Sequence, residues 1–249
     1  MIVVILAGGM GTRLQELTDK IPKPMVTIGG IPILWHLINN FADQGFNEFI
    51  IAGGYKHQQI KKYFERRYLG SLKVAVVNTG FDTKTAGRVA RLRSYLTRSF
   101  ILTYGDGLAD INFRMLLEHH ERMRTMADCF MCDPLVTLTA VNPPSRFGRL
   151  RIEDGHAKIF MEKGQDPEGW INAGFYVCEP EVLDLIPGDA CAWEKDVLPA
   201  LAIQDRLSAF QHTGEFQMMD TWRDREYLEE LWKTGSPFWT RWGQSGRTG

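Results

Sequence analysis

Met1-Ile-Val-Val-Ile-Leu6 running straight into Ala7-Gly-Gly-Met-Gly-Thr-Arg-Leu14 is the stretch on which the fold turns. The apolar run is too short for the core of a signal peptide, and no basic segment precedes it. It predicts a buried first strand of a cytoplasmic protein. The glycines that follow supply several backbone N–H groups with no bulky side chain in front of them, which is the composition of a nest for phosphate. Arg13 adds a guanidinium at the end of the loop, suited to two-point contact with phosphate oxygens. Spacing rules out two familiar phosphate-binding turns. A P-loop needs Gly-x-x-x-x-Gly-Lys followed by Ser or Thr, and no Lys-Ser or Lys-Thr follows these glycines. A dinucleotide fingerprint opens from its third glycine directly into a helix, whereas here Leu14 follows Gly11 at that position and helical spacing is not expected before Gly30.

Outward from this strand the pattern alternates. Ile33, Leu34, Leu37, Ile38 and Phe41 have helical spacing, residues 48–52 read as a strand, 58–68 as a helix, 74–77 as a strand, 89–96 as a helix and 100–104 as a buried strand. Strands alternating with helices predict a mainly parallel sheet covered on both faces. From Leu135 the strands shorten (136–140, 150–152, 158–161, 171–177, 207–211), with helices at 181–186, 193–201 and 225–232, so a smaller α+β part is expected to lean on the first. No repeat or linker divides the chain. The expectation is one domain over 1–242 in two halves, 1–134 and 135–242, followed by a flexible tail at 243–249. Trp239 and Trp242 are expected to pack on the body or to form a subunit contact.

Composition narrows the function. With 29 basic and 30 acidic residues among 249, the formal net charge is -1, which leaves no excess for a nucleic-acid backbone and no polybasic anchor for a membrane. The four cysteines, at 129, 132, 178 and 191, fit reduced thiols; Cys129 and Cys132 lack the second ligand pair that a structural zinc would need. The six histidines show no metal-ligand spacing, and His119-His120 reads as surface on the helix 113–126. No serine stands in a nucleophile elbow.

Ten residues after Arg13, Pro22 and Pro24 hold Lys23 in an extended stretch, from which it can reach back to the same phosphates or remain a solvated lysine. Leu6 to Arg13, Lys23-Pro-Met25 and Ile28-Gly-Gly-Ile-Pro-Ile-Leu-Trp-His36 together resemble the sugar-1-phosphate nucleotidyltransferase family. Further segments follow in that family's order: Asn78-Thr-Gly80, Thr85-Ala-Gly-Arg88, Thr103-Tyr-Gly-Asp-Gly-Leu-Ala-Asp110, Arg146-Phe-Gly148, Glu162-Lys163, Ile171-Asn-Ala-Gly-Phe175, Trp193-Glu194 and Met219-Asp-Thr221. The resemblance runs to about Trp239 and is strongest to the family's cytidylyl-transferring branch. It implies a Rossmann-like, GT-A-type α/β fold, CTP and a sugar 1-phosphate (glucose 1-phosphate) as substrates, Mg2+ as cofactor, and a homo-oligomer.

By the same resemblance, the nucleotide lies on Leu6, Ala7, Gly8, Gly9, Gly11, Thr12, Arg13, Lys23, Thr79, Gly87, Arg88 and Gly105. The sugar phosphate lies on Glu162, Lys163, Asn172 and Gly174, and Arg13, Lys23 and Lys163 act in catalysis. Asp106 and Asp220 hold the metal. Chemistry supports these residue types independently. Displacement at an α-phosphorus asks the protein to align two anions and neutralise charge, and a hard cation takes carboxylate oxygens. The plainer readings are a Gly-Asp-Gly turn at Asp106 and a helix N-cap at Asp220. The acceptor phosphate is already an anionic nucleophile, so direct displacement is expected.

The sequence departs from the family in places. Only Leu69 to Leu72 bridges where a long insertion is usual, Thr85-Ala-Gly-Arg88 stands for Gly-Gly-Arg, Glu162-Lys163-Gly164 stands for Glu-Lys-Pro, and Arg149 and Arg151 add charge. A single pocket contact is worth ~1–3 kcal/mol of discrimination. Rival readings are therefore the same reaction with UTP, dTTP or GTP, another phosphorylated acceptor, or a non-catalytic nucleotide-sugar-binding subunit. Retention of Arg13, Lys23, Asp106 and Asp220 opposes the last of these. An NAD-dependent oxidoreductase fails on the loop spacing.

Overall fold

A computed structural model describes residues 1–126, 133–142, 149–153, 156–161 and 169–243. The opening strand β1 (Ile2–Ala7) lies in the middle of a seven-stranded sheet. Its side chains alternate between two cores: Val3, Ile5 and Ala7 enter one, Val4 and Leu6 the other. That double burial is why the run is continuously apolar.

After β1 come a 3-10 turn at Thr12–Leu14, the one-turn helix α1 (Gln15–Thr18) and a second 3-10 turn at Lys23–Met25. The expectation that no helix precedes Gly30 is thus corrected, because one turn is too short to show a period. A small hairpin, β2 (Thr27–Ile28) with β3 (Ile31–Pro32), leads into α2 (Ile33–Ala42) and β4 (Glu48–Gly53). Helix α3 (His57–Glu65) stops earlier than its apolar spacing predicts, since Gly70, with φ +58°, turns the chain into β5 (Lys73–Asn78). Helix α4 (Thr85–Ala90) begins before the expected segment. It then tightens into three-residue turns (Leu92 N–H to Val89 O, Tyr95 N–H to Leu92 O) that keep Leu92 and Leu96 buried.

The remaining elements are β6 (Phe100–Tyr104), β7 (Gly107–Ala109), α5 (Phe113–Thr125), β8 (Val136–Val141), β9 (Arg149–Glu153), β10 (His156–Met161), β11 (Ile171–Cys178), α6 (Leu198–Ile203), β12 (Leu207–His212), β13 (Phe216–Met218) and α7 (Trp222–Lys233). Sheet order is β12-β8-β11-β6-β1-β4-β5. All of these strands run one way except β11, which is antiparallel to both neighbours. Strands from before and after residue 134 therefore share one sheet. Helices α2, α3, α5 and α7 supply Phe41, Phe64, Phe113 and Leu228 to one face; α4 and α6, with Trp193, cover the other. Phe41 and Phe113 stack with ring centroids 3.9 Å apart.

Two further expectations are settled by packing. Trp239 is 1% exposed and donates from Nε1 to His36 Nδ1 (3.3 Å), which fixes this turn on α2. His120 is not a surface residue: its ring contacts Thr137 Oγ1 (2.7 Å) and Glu179 Oε1 (3.0 Å) between α5 and the sheet. Cys178 and Cys191 are free and buried, whereas Cys129 and Cys132 lie outside the described residues, as does the expected tail beyond Gly243. Among the described residues no helix is long and apolar enough to cross a membrane.

Candidate active site

The carboxyl ends of β1, β4 and β6 meet at one edge of the sheet, tied by Gly105 N–H to Leu6 O (3.0 Å) and Tyr55 N–H to Gly8 O (3.1 Å). There a cleft of about 240 Å3 is lined by Leu6, Ala7, Gly8, Gly9, Gly11, Lys23, Arg88, Gly105 and Asp106 from the sequence-predicted site, joined by Pro24, Thr85 and Tyr104. Open α/β sheets bind ligands at this edge. Gly11 has φ +66°, and a Cβ there would fall 2.9 Å from Thr18 Cγ2, so only glycine makes this turn. Thr12 and Arg13 face a larger, outer hollow of about 660 Å3 bounded by Trp222. The charged groups converge at the smaller cleft.

Lys23 is the centre of that convergence. Its Nζ donates to Asp106 Oδ2 at 2.5 Å and to Asp220 Oδ1 at 2.6 Å, and Arg13 donates to Asp220 Oδ2 at 2.8 Å. Burial works against the charge on Lys23, yet the two carboxylates outweigh it and hold the pKa above the ordinary value. Asp220 is the mirror case: burial raises its pKa, but Lys23 and Arg13 bring it below the usual carboxylate range.

The two aspartates are far apart in sequence and are brought together by the pairing of β7 with β13. Met218 lies opposite Gly107, and Met219 N–H donates to Asp106 O at 2.9 Å. Asp220 is not the helix cap that its position allows. Thr221 caps α7, in a capping box with Asp224, whose Oδ2 also accepts from Asp220 N–H (3.1 Å). Asp224 is a positioning residue that the site predictions missed, although Thr-x-x-Asp ahead of a helix was a readable signal.

Arg88 lies 5% exposed beneath the glycine loop. Its guanidinium donates to the carbonyls of Gly8 (3.2 Å), Gly80 (2.6 Å) and Phe81 (3.0 Å) and to Thr79 Oγ1 (3.0 Å). Burial lowers its pKa, Arg91 adds like-charge repulsion, and among the described residues no carboxylate pairs with it. A buried cation without a counter-ion favours an anion in the adjoining cleft. Two of the residues expected to contact nucleotide, Thr79 and Gly87, are not among those that line the cleft. Thr79 is wholly buried, with its hydroxyl donating to Gly53 O (2.8 Å). Gly87 faces the backbone of Asp189, which a Cβ would meet at 2.7 Å. Both positions serve packing under the cleft, a role their sequence context does not distinguish from ligand contact.

On the other side of Tyr104, β11 carries an irregularity between Asn172 and Tyr176. Asn172 is exposed at the sheet's end, donating to Tyr176 OH (2.7 Å) and accepting from Gly174 N–H (2.9 Å). Gly174 has φ +76°, and a Cβ there would lie 2.8 Å from the Tyr104 ring. Glu162, Lys163 and the segment 146–148 lie outside the described residues.

Asp106 and Asp220 suit a divalent cation. Oδ1 of Asp106 is buried with no hydrogen-bond partner among the described residues, and the other carboxylate oxygens already face positive charge, two on Lys23 and one on Arg13. No cluster of three or more His, Cys, Asp or Glu able to hold a metal occurs among the described residues. Two protein carboxylates match a hard cation that keeps most of its other positions for water and phosphate.

The nucleotidyl transferase family model matches residues 2–236. The glucose-1-phosphate cytidylyltransferase of Salmonella typhi is 41% identical over 265 aligned positions, which cover 97% of this chain and all of the relative. A probable glucose-1-phosphate cytidylyltransferase of Bacillus subtilis (strain 168) is 38% identical, with the same coverage. Among solved structures, HddC from Yersinia pseudotuberculosis superposes with a TM-score of 0.73 at 27% identity, over 93% of this chain and 99% of that one, and has also been solved complexed with GMP-PN. The sheet is the Rossmann-like, GT-A-type α/β fold, and members of the family generally use a divalent metal. The chain belongs to the nucleotidyl transferase family.

Proposed function

We propose that this enzyme transfers the cytidylyl group of CTP to glucose 1-phosphate, releasing pyrophosphate and CDP-glucose. The observation that carries the reading is the convergence of Lys23, Asp106 and Asp220 at a glycine-lined cleft floored by the unpaired cation Arg88. Base and acceptor are carried over from the Salmonella typhi relative.

Backbone N–H groups of residues 8–11, with Arg13 and Lys23, hold and orient the triphosphate. Lys163, beside Glu162, presents the sugar phosphate, and Asn172 and Gly174 border the sugar. An oxygen of the sugar phosphate forms a bond to the α-phosphorus while the bond from that phosphorus to the bridging oxygen breaks, and pyrophosphate leaves with the electron pair. Asp106 and Asp220 would hold magnesium, whose contribution when bound is to neutralise charge on the phosphate oxygens. The buried free thiols Cys178 and Cys191 accord with a cytoplasmic location, and a homo-oligomer is part of the same proposal.

The test is pyrophosphate release with magnesium and glucose 1-phosphate, with CTP, UTP, dTTP, GTP and ATP compared in parallel. Release confined to CTP is expected. Guanine is the main competing base, because HddC is complexed with GMP-PN, and preference for GTP would overturn the assignment. Asp106→Asn and Asp220→Asn are each expected to lower turnover by roughly a hundredfold or more, since metal charge stabilisation is worth several kcal/mol. Activity retained in either variant would remove that aspartate from the metal site.

A further inference from the structure

Lys23 Nζ lies 2.5 Å from one oxygen of Asp106 and 2.6 Å from one of Asp220, where a cation shared by the two carboxylates would sit. Two carboxylates converging on one point repel unless positive charge stands between them. Here Lys23 supplies it, and Arg13, 2.8 Å from the other Asp220 oxygen, completes the balance: two negative side chains face two positive ones. The side chains of Lys23 and Asp106 are only 12% and 16% exposed, so the bond between them is poorly accessible to competing water, whereas Asp220 is 31% exposed.

A divalent cation arriving alone meets this neutral arrangement. To enter it has to break two short charge-assisted bonds and leave the Lys23 ammonium against the metal with no new partner. A triphosphate alters the balance. Laid along the glycine loop, it brings anionic oxygens into the cleft that Lys23 lines together with Gly8, Gly11 and Asp106. Lys23 then exchanges carboxylate for phosphate, and both aspartates become available.

We propose that Lys23 is a resident stand-in for the metal: it holds Asp106 and Asp220 in place, keeps a metal out while the cleft is empty, and admits it when a triphosphate draws the ammonium away. This rests on the two-aspartate metal reading, and it is independent of which base or sugar the enzyme uses. Because coupling between two ligands is reciprocal, the metal strengthens triphosphate binding by the factor by which the triphosphate strengthens metal binding.

The test is Mn2+ binding to nucleotide-free protein, followed by the loss of the free-ion signal in electron paramagnetic resonance. Lys23→Met and Lys23→Gln keep much of the side-chain volume and remove the charge. Both are expected to bind Mn2+ about tenfold more tightly than the wild type, within the usual range for such coupling. Adding Asp106→Asn to either variant is expected to abolish the gain. Affinity equal to or below that of the wild type in a variant shown folded by circular dichroism overturns the proposal. A gain that survives Asp106→Asn overturns it too, and locates the failure in the metal-site reading beneath it.

A second measurement uses the wild type alone. Acylation of Lys23, read by peptide mass spectrometry, is expected to be unchanged by millimolar Mn2+ and to change when a triphosphate is added with it. A change produced by Mn2+ alone means that the metal displaces the lysine unaided, and the proposal falls.

Discussion

At the scale of single residues, Arg88 separates what can be read from a string of letters from what cannot. Its place in Thr85-Ala-Gly-Arg88 marks it as part of the site. Its burial depends on two distant glycines that leave room for the guanidinium: a Cβ on Gly8 would fall 2.3 Å from Arg88 Cζ, and one on Gly54 2.4 Å from Nη1. No local pattern encodes that channel. Arg88→Met leaves the half-buried carbonyls of Gly80 and Phe81 without this donor, while Gly8 O keeps Tyr55 N–H; an unmet buried acceptor costs ~1–3 kcal/mol. With water replacing part of the loss from the cleft side, we expect destabilisation of about 2–4 kcal/mol and a midpoint lower by roughly 5–15 °C. Scanning calorimetry checks this, and an unchanged midpoint would show that the guanidinium is not structural. Nucleotide affinity is expected to fall as well, because the loops at Gly8 and Gly80 lose their common tie.

Among the elements, the short pair of β7 and β13 carries the most functional weight. Each strand spans three residues, too few for an alternation to be recognised, so the register that sets Met218 against Gly107 was not legible. The helix α7 was legible from its apolar spacing over 225–232, and its start at Trp222 from the capping signal ahead of it. Its capping box joins the two, since Asp224 accepts from the backbone N–H groups of Asp220 and Thr221. Asp224→Ala is expected to destabilise the protein by about 1–2 kcal/mol through the lost cap. It should also raise the metal concentration needed for half-maximal rate while leaving the rate at saturating metal within a few-fold. A titration of activity against Mg2+ distinguishes this from a cap with no bearing on Asp220, for which the midpoint would not move.

For the whole molecule, the mainly parallel sheet was legible because double burial leaves a continuous apolar signature in β1, β4 and β6, as in Val3 to Leu6 and Phe100 to Leu102, while the half-exposed edge strand β5 showed itself by its short Val-Ala-Val-Val run. The antiparallel placement of β11 was not, because strand order depends on contacts between the two halves. Response to acid is likewise a property of the assembled fold. Burial holds the His36 pKa below its ordinary 6.5, despite the Ile28 carbonyl and Glu229, so the native ring stays neutral where an unfolded one would bind a proton. Stability is therefore complete above about pH 6.5 and declines as pH falls below it. Glu179, Asp110 and Asp220 have pKa values below the carboxylate range: burial opposes this, but His120, His212 and Lys23 respectively, with neighbouring arginines, outweigh it. Their contribution is present above about pH 4 and is lost as pH drops through the native values. Thermal midpoints between about pH 2 and 8 should fall in two stages, and His36→Gln should flatten the upper one; an unaltered upper stage in that variant would assign it elsewhere. The joining of the chain's last described turn to α2 through Trp239 and His36 also bears on synthesis. The phosphate cradle leaves the ribosome ahead of both acids, since Asp106 lies 83 residues beyond Lys23 and Asp220 lies 197 beyond it, on a segment anchored by Trp239. A nascent chain can thus shape the cradle long before it owns both acids, and catalytic competence waits for the segment that carries Asp220.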